Sequence, residues 1–234
     1  MHLHNFLKFE THYRQITHRT SNMAATEKNA EELRKASQLS HVPRGEQYDK
    51  MISGMLQLCD ARFRARAWAH HYNHFFPTGA EANATTLQQT RAQMLREILG
   101  RVDGDDVVIE PPFNIDYGCN ISIGERFYAN FNLVILDCAI VTIGNRVMMG
   151  PNVSIFAATH ETEVASRRDN IEYARPVSIG DDCWIGGHVV VLPGITIGKG
   201  CVIAAGSIVT KDVPAWSVAK GVPARVFKSV EPIE

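Results

Sequence analysis

The chain has 234 residues, a formal net charge of −1 and 45% hydrophobic residues, a composition typical of a soluble globular protein. It lacks the basic excess that binds nucleic acid or an anionic membrane surface, and it has no apolar run of about 18 residues or more that would span a bilayer. The first residues lack the apolar core and the cleavage site of a secretory signal. These features predict a cytoplasmic protein with no nucleic-acid or membrane partner.

Residues 1–40 differ from the rest of the chain. Scattered histidines and threonines are followed by a polar run around residues 27–35, a composition that cannot supply a hydrophobic core. We interpret residues 1–40 as an N-terminal tail, partly disordered, with a short helix over residues 30–39.

Residues 41–105 show helical spacing and are predicted to form a helical cap. Apolar residues recur at intervals of three and four in the first helix, a second helix runs over residues 60–74, and Thr86 to Gln89 resembles a capping box for a third. The arginines of the second helix fit a solvated face, and its histidines fit a helix surface better than a metal site, since no cysteine or carboxylate accompanies them. These residues are Arg62, Arg64, Arg66, His70, His71 and His74.

From residue 106 to residue 228 the apolar residues recur with a period of six. One phase is held by Val177, Cys183, Val189, Ile195 and Cys201, and a second phase follows two residues later. This period predicts a parallel β-helix, in which each six forms one short strand and a turn. A β-sandwich with regular turns would not keep the phase over seven repeats. Residues eighteen apart should stack on neighbouring coils, so Cys183 and Cys201 are predicted to be buried, reduced thiols. Residues 229–234 form a short tail.

The period is interrupted over residues 157–176, which predicts a loop that protrudes from one coil. Long loops in compact repeat proteins tend to be functional, and this one contains His160. A histidine can take a hydroxyl proton near neutral pH. Histidines are also common in surface loops, so position alone leaves the role of His160 open.

Several motifs resemble the maltose and galactoside O-acetyltransferases of the hexapeptide-repeat acyltransferases. They are RGEQYDKMISGML, EPPFNIDYGCNISIG, FYANFNLVILD, GPNVSIFAATH, GDDCWIGGHVVVLPGITIG, GSIVTKDVP and GVPARV. The resemblance covers about residues 44–228. It implies a left-handed parallel β-helix, a homotrimer with active sites between subunits, acetyl-CoA as the acetyl donor and no metal.

The resemblance also implies site residues. His160 would be the general base, Asn130 would hold the acceptor hydroxyl, and the Gly187 N–H would stabilise the oxyanion. Trp184 would line the cleft near the thioester, although a core-edge aromatic is an equal interpretation. The other implied acetyl-CoA contacts are Ala205, Thr210, Lys211 and Arg225, and the other implied acceptor contacts are Tyr128 and Asp137.

The chain departs from the family pattern around the acceptor. The cap is shortened after Leu56, a second acidic position after Asp137 is Cys138, and the proline that often follows the histidine is Glu161. The sequence therefore predicts an acetyl-CoA-dependent O-acetyltransferase for a sugar or another small hydroxylated molecule.

Three alternatives are less well supported. An acetyltransferase for xenobiotics or secondary metabolites shares the fold but usually lacks the cap. A zinc carbonic anhydrase needs three histidine ligands, whereas the repeat region has His160 and His188. A non-catalytic β-helix assembly protein would have no reason to carry the acetyltransferase motifs.

Overall fold

The computed structural model describes residues 27–53, 59–80, 82–168 and 172–233, without the side chains of residues 59 and 60. Most of the predicted tail, residues 1–26, lies outside the described residues. The helices are α1 (Ala30–Ser37), α2 (Glu46–Ile52), α3 (Cys59–His74), α4 (Ala84–Ile98) and α5 (Val164–Arg168). Within the described ranges, no helix is both long and apolar enough to cross a membrane.

The helical cap is followed by short strands that repeat around a solenoid. The strands are β1 (Arg101–Val102), β2 (Val108–Ile109), β3 (Phe113–Ile115), β4 (Ile121–Ile123), β5 (Tyr128–Ala129), β6 (Leu133–Leu136), β7 (Val141–Ile143), β8 (Met148–Met149), β9 (Ser154–Phe156), β10 (Ala158–His160), β11 (Glu172–Ala174), β12 (Val177–Ile179), β13 (Trp184–Ile185), β14 (Val190–Val191), β15 (Thr196–Ile197), β16 (Val202–Ile203), β17 (Ile208–Val209), β18 (Ser217–Lys220) and β19 (Arg225–Ser229).

The solenoid has three parallel faces. The first face stacks β1, β4, β7, β12 and β15, and the third stacks β3, β6, β9, β14 and β17. The second stacks β2, β5, β8, β13, β16 and β18, with β19 added antiparallel at its end. The prediction of a parallel β-helix with a helical cap is confirmed.

The period of six sets which side chains fill the solenoid. Ile121 pairs with Val141, and Val141 pairs with Val177, so one column of buried aliphatic residues crosses three coils. β-branched side chains suit such strands because they pack well on a pleated surface. The turns must come equally close: a Cβ on Gly186 would lie 2.5 Å from the backbone nitrogen of Ala205 in the next coil. The glycine at this turn is therefore required by the close contact between adjacent coils.

Cys183 and Cys201 lie on adjacent coils, directly before the paired residues Trp184 and Val202. Both are free and buried. Their thiols donate to the carbonyl oxygens of Gly198 and Pro214, each at 3.1 Å. The prediction of buried, reduced thiols is confirmed for this pair.

Helix α3 is held against the third face by its aromatic and amide side chains. The Tyr72 hydroxyl donates to the Ile109 carbonyl at 2.6 Å. Asn73 donates to the Phe113 carbonyl at 3.0 Å and accepts from the Phe113 N–H at 2.8 Å. The Trp68 ring stacks on Tyr72 and meets Phe113 edge-on. These contacts fix the arginine-bearing side of α3 relative to strand β3.

The N-terminus of α4 differs from its prediction. The helix begins at Ala84, and Asn83 caps it by accepting the Thr86 N–H at 2.9 Å. The predicted capping box starting at Thr86 is therefore wrong. The physical reason is that Asn is among the strongest N-cap residues and lies one position before the first helical residue.

The packed cap extends N-terminal of the boundary that the sequence predicts at residue 41. Helix α1 is capped by Asn29, whose side chain accepts from two backbone N–H groups of the first turn. Ala36, Leu39 and Val42 are buried in one cluster with Tyr48. Residues from Asn29 onward thus contribute to the apolar packing of the cap.

Candidate active site

The interruption of the repeat is a two-stranded hairpin with His160 at its end. Strands β10 and β11 pair antiparallel, and His160 lies directly opposite Glu172. Residues opposite each other in such a pair have Cβ atoms about 4.5–5.5 Å apart. The His160 side chain is exposed and Glu172 is half-buried. The hairpin therefore presents an imidazole to solvent with a carboxylate beside it.

Glu172 joins a cluster of polar groups at the corner between the third and first faces. The Cys138 thiol lies 3.8 Å from Glu172 Oε1 and 3.5 Å from Asp116 Oδ2. Burial raises the pKa of Glu172, and the neighbouring His160 and Arg62 oppose that rise. Burial also raises the pKa of the Cys138 thiol, and nearby carboxylates add to this effect. Cys138 is therefore a neutral donor between two carboxyl groups.

Arg62 connects the cap to this cluster. Its Nε and Nη2 lie 2.7 and 2.6 Å from Oδ1 of the buried Asp116. The interpretation of Arg62 as part of a solvated face is thus wrong, because the arginine neutralises a buried carboxylate on the solenoid. The sequence offered no signal for this pair, since 54 positions separate the two residues. Asp116 and Glu172 were likewise missed as members of the cluster.

Asp137 has its carboxylate inside the protein. It accepts backbone N–H groups from Tyr117 at 2.8 Å, Asp116 at 3.1 Å and Asn120 at 3.4 Å. Its side chain is fully buried, and burial raises the pKa of Asp137 to about 7. These bonds hold the turn that presents Asp116. Contact between Asp137 and an acceptor stays a prediction from resemblance, because the geometry gives this carboxylate internal partners.

Three of the predicted site residues lie at another corner, between the second and third faces. Asn130 follows β5, Gly187 follows β13 and Ala205 follows β16. The Asn130 side chain is half-buried and accepts from the N–H of Phe131 at 2.7 Å. Among the hydrogen bonds of the described residues, none uses the Gly187 N–H. A backbone donor without an internal partner suits an oxyanion site.

A single chain does not bring Asn130 and His160 together. Asn130 lies just before β6, at the start of the third face, whereas the hairpin with His160 begins just after β9, at the end of the same face. A strand of three to four residues, as in β6 and β9, separates these corners by about 10 Å or more. The two predicted catalytic side chains therefore stand at opposite ends of one face.

The predicted acetyl-CoA contacts are spread over the same solenoid. Trp184 is 54% exposed and lies beside Met148, which is 53% exposed, and Met148 pairs in turn with Tyr128. This apolar column runs along the second face. Lys211 follows β17 and Arg225 begins β19, and both are exposed. An apolar surface with exposed cations fits a ligand that combines a thioester arm with phosphates.

Thr210 and Ala205 complete the predicted contacts. Thr210 is half-buried directly after β17, and Ala205 is exposed in the turn after β16. Among the described residues, no group of three or more His, Cys, Asp or Glu side chains is arranged to hold a metal.

Two family models match the chain. The maltose acetyltransferase hexapeptide capping motif matches residues 50–104, and the hexapeptide repeat of succinyl-transferase matches residues 176–211. The galactoside O-acetyltransferase of Escherichia coli is 41% identical over 182 residues, which is 77% of this chain and 85% of the relative.

Solved structures with the same architecture also match. A maltose O-acetyltransferase from Clostridium difficile is 37% identical with a TM-score of 0.72, over 81% of this chain and 100% of that one. A galactoside acetyltransferase in complex with coenzyme A is 37% identical with a TM-score of 0.71, over 80% of this chain and 92% of that one. These likenesses extend over both the cap and the solenoid.

Proposed function

Because the chain belongs to the maltose and galactoside acetyltransferase family of hexapeptide-repeat enzymes, we propose that it moves the acetyl group of acetyl-CoA to a hydroxyl of a small acceptor, with His160 as general base. The acceptor class is a sugar or another small polyhydroxylated molecule. The observation that carries the proposal is the placement of His160 on the hairpin that interrupts the repeat, opposite Glu172. Both the capping motif and the repeats of the family accompany that hairpin.

The chemistry requires one proton transfer in each direction. His160 takes the hydroxyl proton as the acceptor oxygen attacks the carbonyl carbon of the thioester, and an O–C bond forms. The C–S bond then breaks, the acetyl ester is released, and the imidazolium returns the proton to the CoA thiolate. A positioned general base of this kind accelerates such a step by about 10²–10⁴-fold.

Glu172 supports this cycle electrostatically. The imidazole of His160 becomes positive when it takes the proton, and a carboxylate on the opposite strand stabilises that charge. The same carboxylate favours one ring orientation. Glu172 thus acts through His160, as a positioning residue.

Asn130 and Gly187 supply the remaining polar contacts. The amide of Asn130 holds the acceptor hydroxyl, and the Gly187 N–H donates to the oxygen that becomes negative in the tetrahedral intermediate. Both residues lie at the corner between the second and third faces, one strand away from the corner of His160. A complete site therefore needs the His160 corner of one subunit and the Asn130 corner of another, which supports a homotrimer with shared sites.

Acetyl-CoA binds along the boundary between the two subunits that share the site. Trp184 offers exposed apolar surface to the thioester arm, and Ala205 and Thr210 are further contacts of acetyl-CoA, whereas Tyr128 contacts the acceptor. Lys211 and Arg225 bind the phosphates, since exposed cations pair well with them.

The test is a thiol-release assay with acetyl-CoA and a panel of sugars, nucleosides and phenolic alcohols. We expect release with at least one sugar, and a loss of about 10²–10⁴-fold in kcat for His160→Ala. His71→Ala is the control, because His71 is an exposed histidine within α3 and is not among the predicted site residues. Release that is equal in the wild type and His160→Ala would remove His160 from the mechanism.

A further inference from the structure

An open surface cavity of about 490 Å³ lies between α3 and the third face of the solenoid. Its volume falls within the range of small-molecule sites. Its lining includes charged and polar side chains from both elements. They include Arg62, Arg66, His70 and His74 on α3, and Asn114 and Asp116 on or directly after β3.

The single acidic group among these residues is already compensated. Asp116 is paired with Arg62, so neither residue contributes a net charge to the cavity. Arg66 is exposed and makes no ion pair within the described part of the chain. After this internal pairing the cavity retains one guanidinium charge.

Two stacked histidines also line the cavity. The His70 and His74 rings stack with centroids 4.5 Å apart. His74 Nδ1 lies 2.7 Å from the His70 carbonyl oxygen. Because a carbonyl oxygen can only accept a hydrogen bond, Nδ1 carries the proton and donates it. In the neutral ring Nε2 of His74 is then an acceptor and offers no hydrogen to an anion. Arg66 lies one turn before His70 on the same side of α3.

The cavity adjoins the cluster at His160. One oxygen of Asp116 binds Arg62 at the cavity, and the other contacts the Cys138 thiol. Cys138 in turn contacts Glu172, which lies opposite His160. Asp116 therefore lies at the boundary between the cavity and the polar cluster beside His160.

We infer that this cavity binds a phosphate monoester carried by the acceptor, with Arg66 as its main charged contact. A guanidinium can donate two parallel hydrogen bonds to a phosphate, and the side-chain amide of Asn114, which also lines the cavity, can donate a further one. This inference rests on the proposed acetyl transfer, and it narrows the acceptor to an anionic sugar. A neutral sugar lacks the coulombic attraction to the uncompensated charge of Arg66, and we therefore expect it to bind less tightly.

The experiment measures binding without acetyl-CoA and without turnover. Isothermal titration compares glucose 6-phosphate, glucose and inorganic phosphate as probes of the wild type, Arg66→Gln and Arg64→Gln. Arg64 is the matched control, because it lies on the same helix but donates to the His41 carbonyl at 3.2 Å. We expect the sugar phosphate to bind about ten-fold or more tightly than glucose, and Arg66→Gln to lose about that factor.

Each outcome decides the inference. Equal binding of glucose and glucose 6-phosphate, or unchanged binding in Arg66→Gln, would overturn it. An equal loss in Arg64→Gln would also overturn it, since general surface charge would then explain the effect. Binding of inorganic phosphate as tight as the sugar phosphate would show an anion site unrelated to the acceptor and overturn the acceptor assignment. If Arg66→Gln melts early, Arg66→Lys retains the charge and should weaken binding less than any neutral replacement that folds.

Failure here is distinguishable from failure of acetyl transfer. A protein that acetylates neutral sugars without any phosphate preference keeps the proposed function and loses this inference. A protein that binds the sugar phosphate through Arg66 but releases no thiol with any acceptor loses the proposed function instead.

Discussion

The residues at the candidate site differ in how much of their environment comes from nearby sequence. His160 and Glu172 are twelve positions apart and meet because a hairpin pairs their strands. Arg62, Asp116 and Cys138 meet only because α3 packs on the solenoid. A motif can therefore indicate His160, whereas its electrostatic surroundings depend on the three-dimensional packing of the cap.

Glu172→Gln should slow acetyl transfer while leaving the binding of acetyl-CoA unchanged. Loss of a unit charge near the imidazolium should cost roughly 10–100-fold in kcat, and the KM for acetyl-CoA should stay the same. Glu163→Gln is the control, since Glu163 is an exposed carboxylate of the same loop and should retain wild-type kcat.

The pH dependence separates this electrostatic role from a merely structural one. Burial raises the pKa of Glu172, so its charge is lost at a higher pH than for an ordinary glutamate. The difference in kcat between the wild type and Glu172→Gln should therefore narrow as the pH falls. A difference that is constant across pH would contradict the electrostatic role.

Asp137 should make the wild type more stable in mild acid than at neutral pH. Folding raises the pKa of Asp137 from 3.8 to about 7. Its contribution to the free energy of unfolding is therefore fully present below pH 3.8 and is lost as the pH rises through about 7. The contribution changes by up to about 4 kcal/mol over this range. Other carboxylates have the opposite sign, because salt bridges lower the pKa of Asp182, for example.

Asp137→Asn isolates this effect. The amide oxygen can still accept from Asp116 and Tyr117, but an NH₂ group then faces the N–H of Asn120. The variant should be less stable than the wild type in mild acid, and the gap should shrink towards neutral pH. Denaturant unfolding at several pH values measures it. A gap that does not change with pH would show that Asp137 does not titrate in this way.

At the scale of elements, periodicity predicted the solenoid well because every coil repeats the same physical requirement. Each six-residue repeat needs an inward aliphatic residue and a tight turn, and both requirements are visible in the sequence as a period of six. The break over residues 157–176 was equally visible, but not the hairpin within it. The cap was harder: Asn83 replaced the predicted capping box, and α1 packs with the cap. Those outcomes depend on competition between local caps and on tertiary contacts.

Gly186→Ala tests the close approach of adjacent coils. The added Cβ would lie 2.5 Å from the Ala205 nitrogen and 3.0 Å from the Ile203 carbonyl oxygen, both backbone atoms. The coils must therefore move apart, at a cost of about 1–3 kcal/mol in the free energy of unfolding. Ser178→Ala, on strand β12, is a control that should change stability little. Equal stability of both variants in urea unfolding would show that the turn tolerates a side chain.

At the scale of the whole molecule, the separation of the two predicted catalytic corners supports the proposal of a site shared between subunits. The third face separates Asn130 from His160 in every copy. A closed ring of three subunits can place the His160 corner of one copy against the Asn130 corner of the next, which is a heterologous interface that closes. The exposed apolar column containing Met148 and Trp184 on the second face offers surface for such contact.

Mixing two inactive variants tests this shared site. Asn130→Ala and His160→Ala should each have little activity as homotrimers, but random mixed trimers from co-refolding should recover about one quarter of wild-type activity. A site is intact only when the subunit giving His160 carries the Asn130 substitution and its neighbour carries the other, which happens with a probability of about one half times one half.

The double variant Asn130→Ala/His160→Ala, mixed with either single variant, is the control and should recover nothing. Light scattering should show trimers in every sample. Trimers that form mixed species but stay inactive would place both residues in the same chain's site, because no combination of these subunits then restores it.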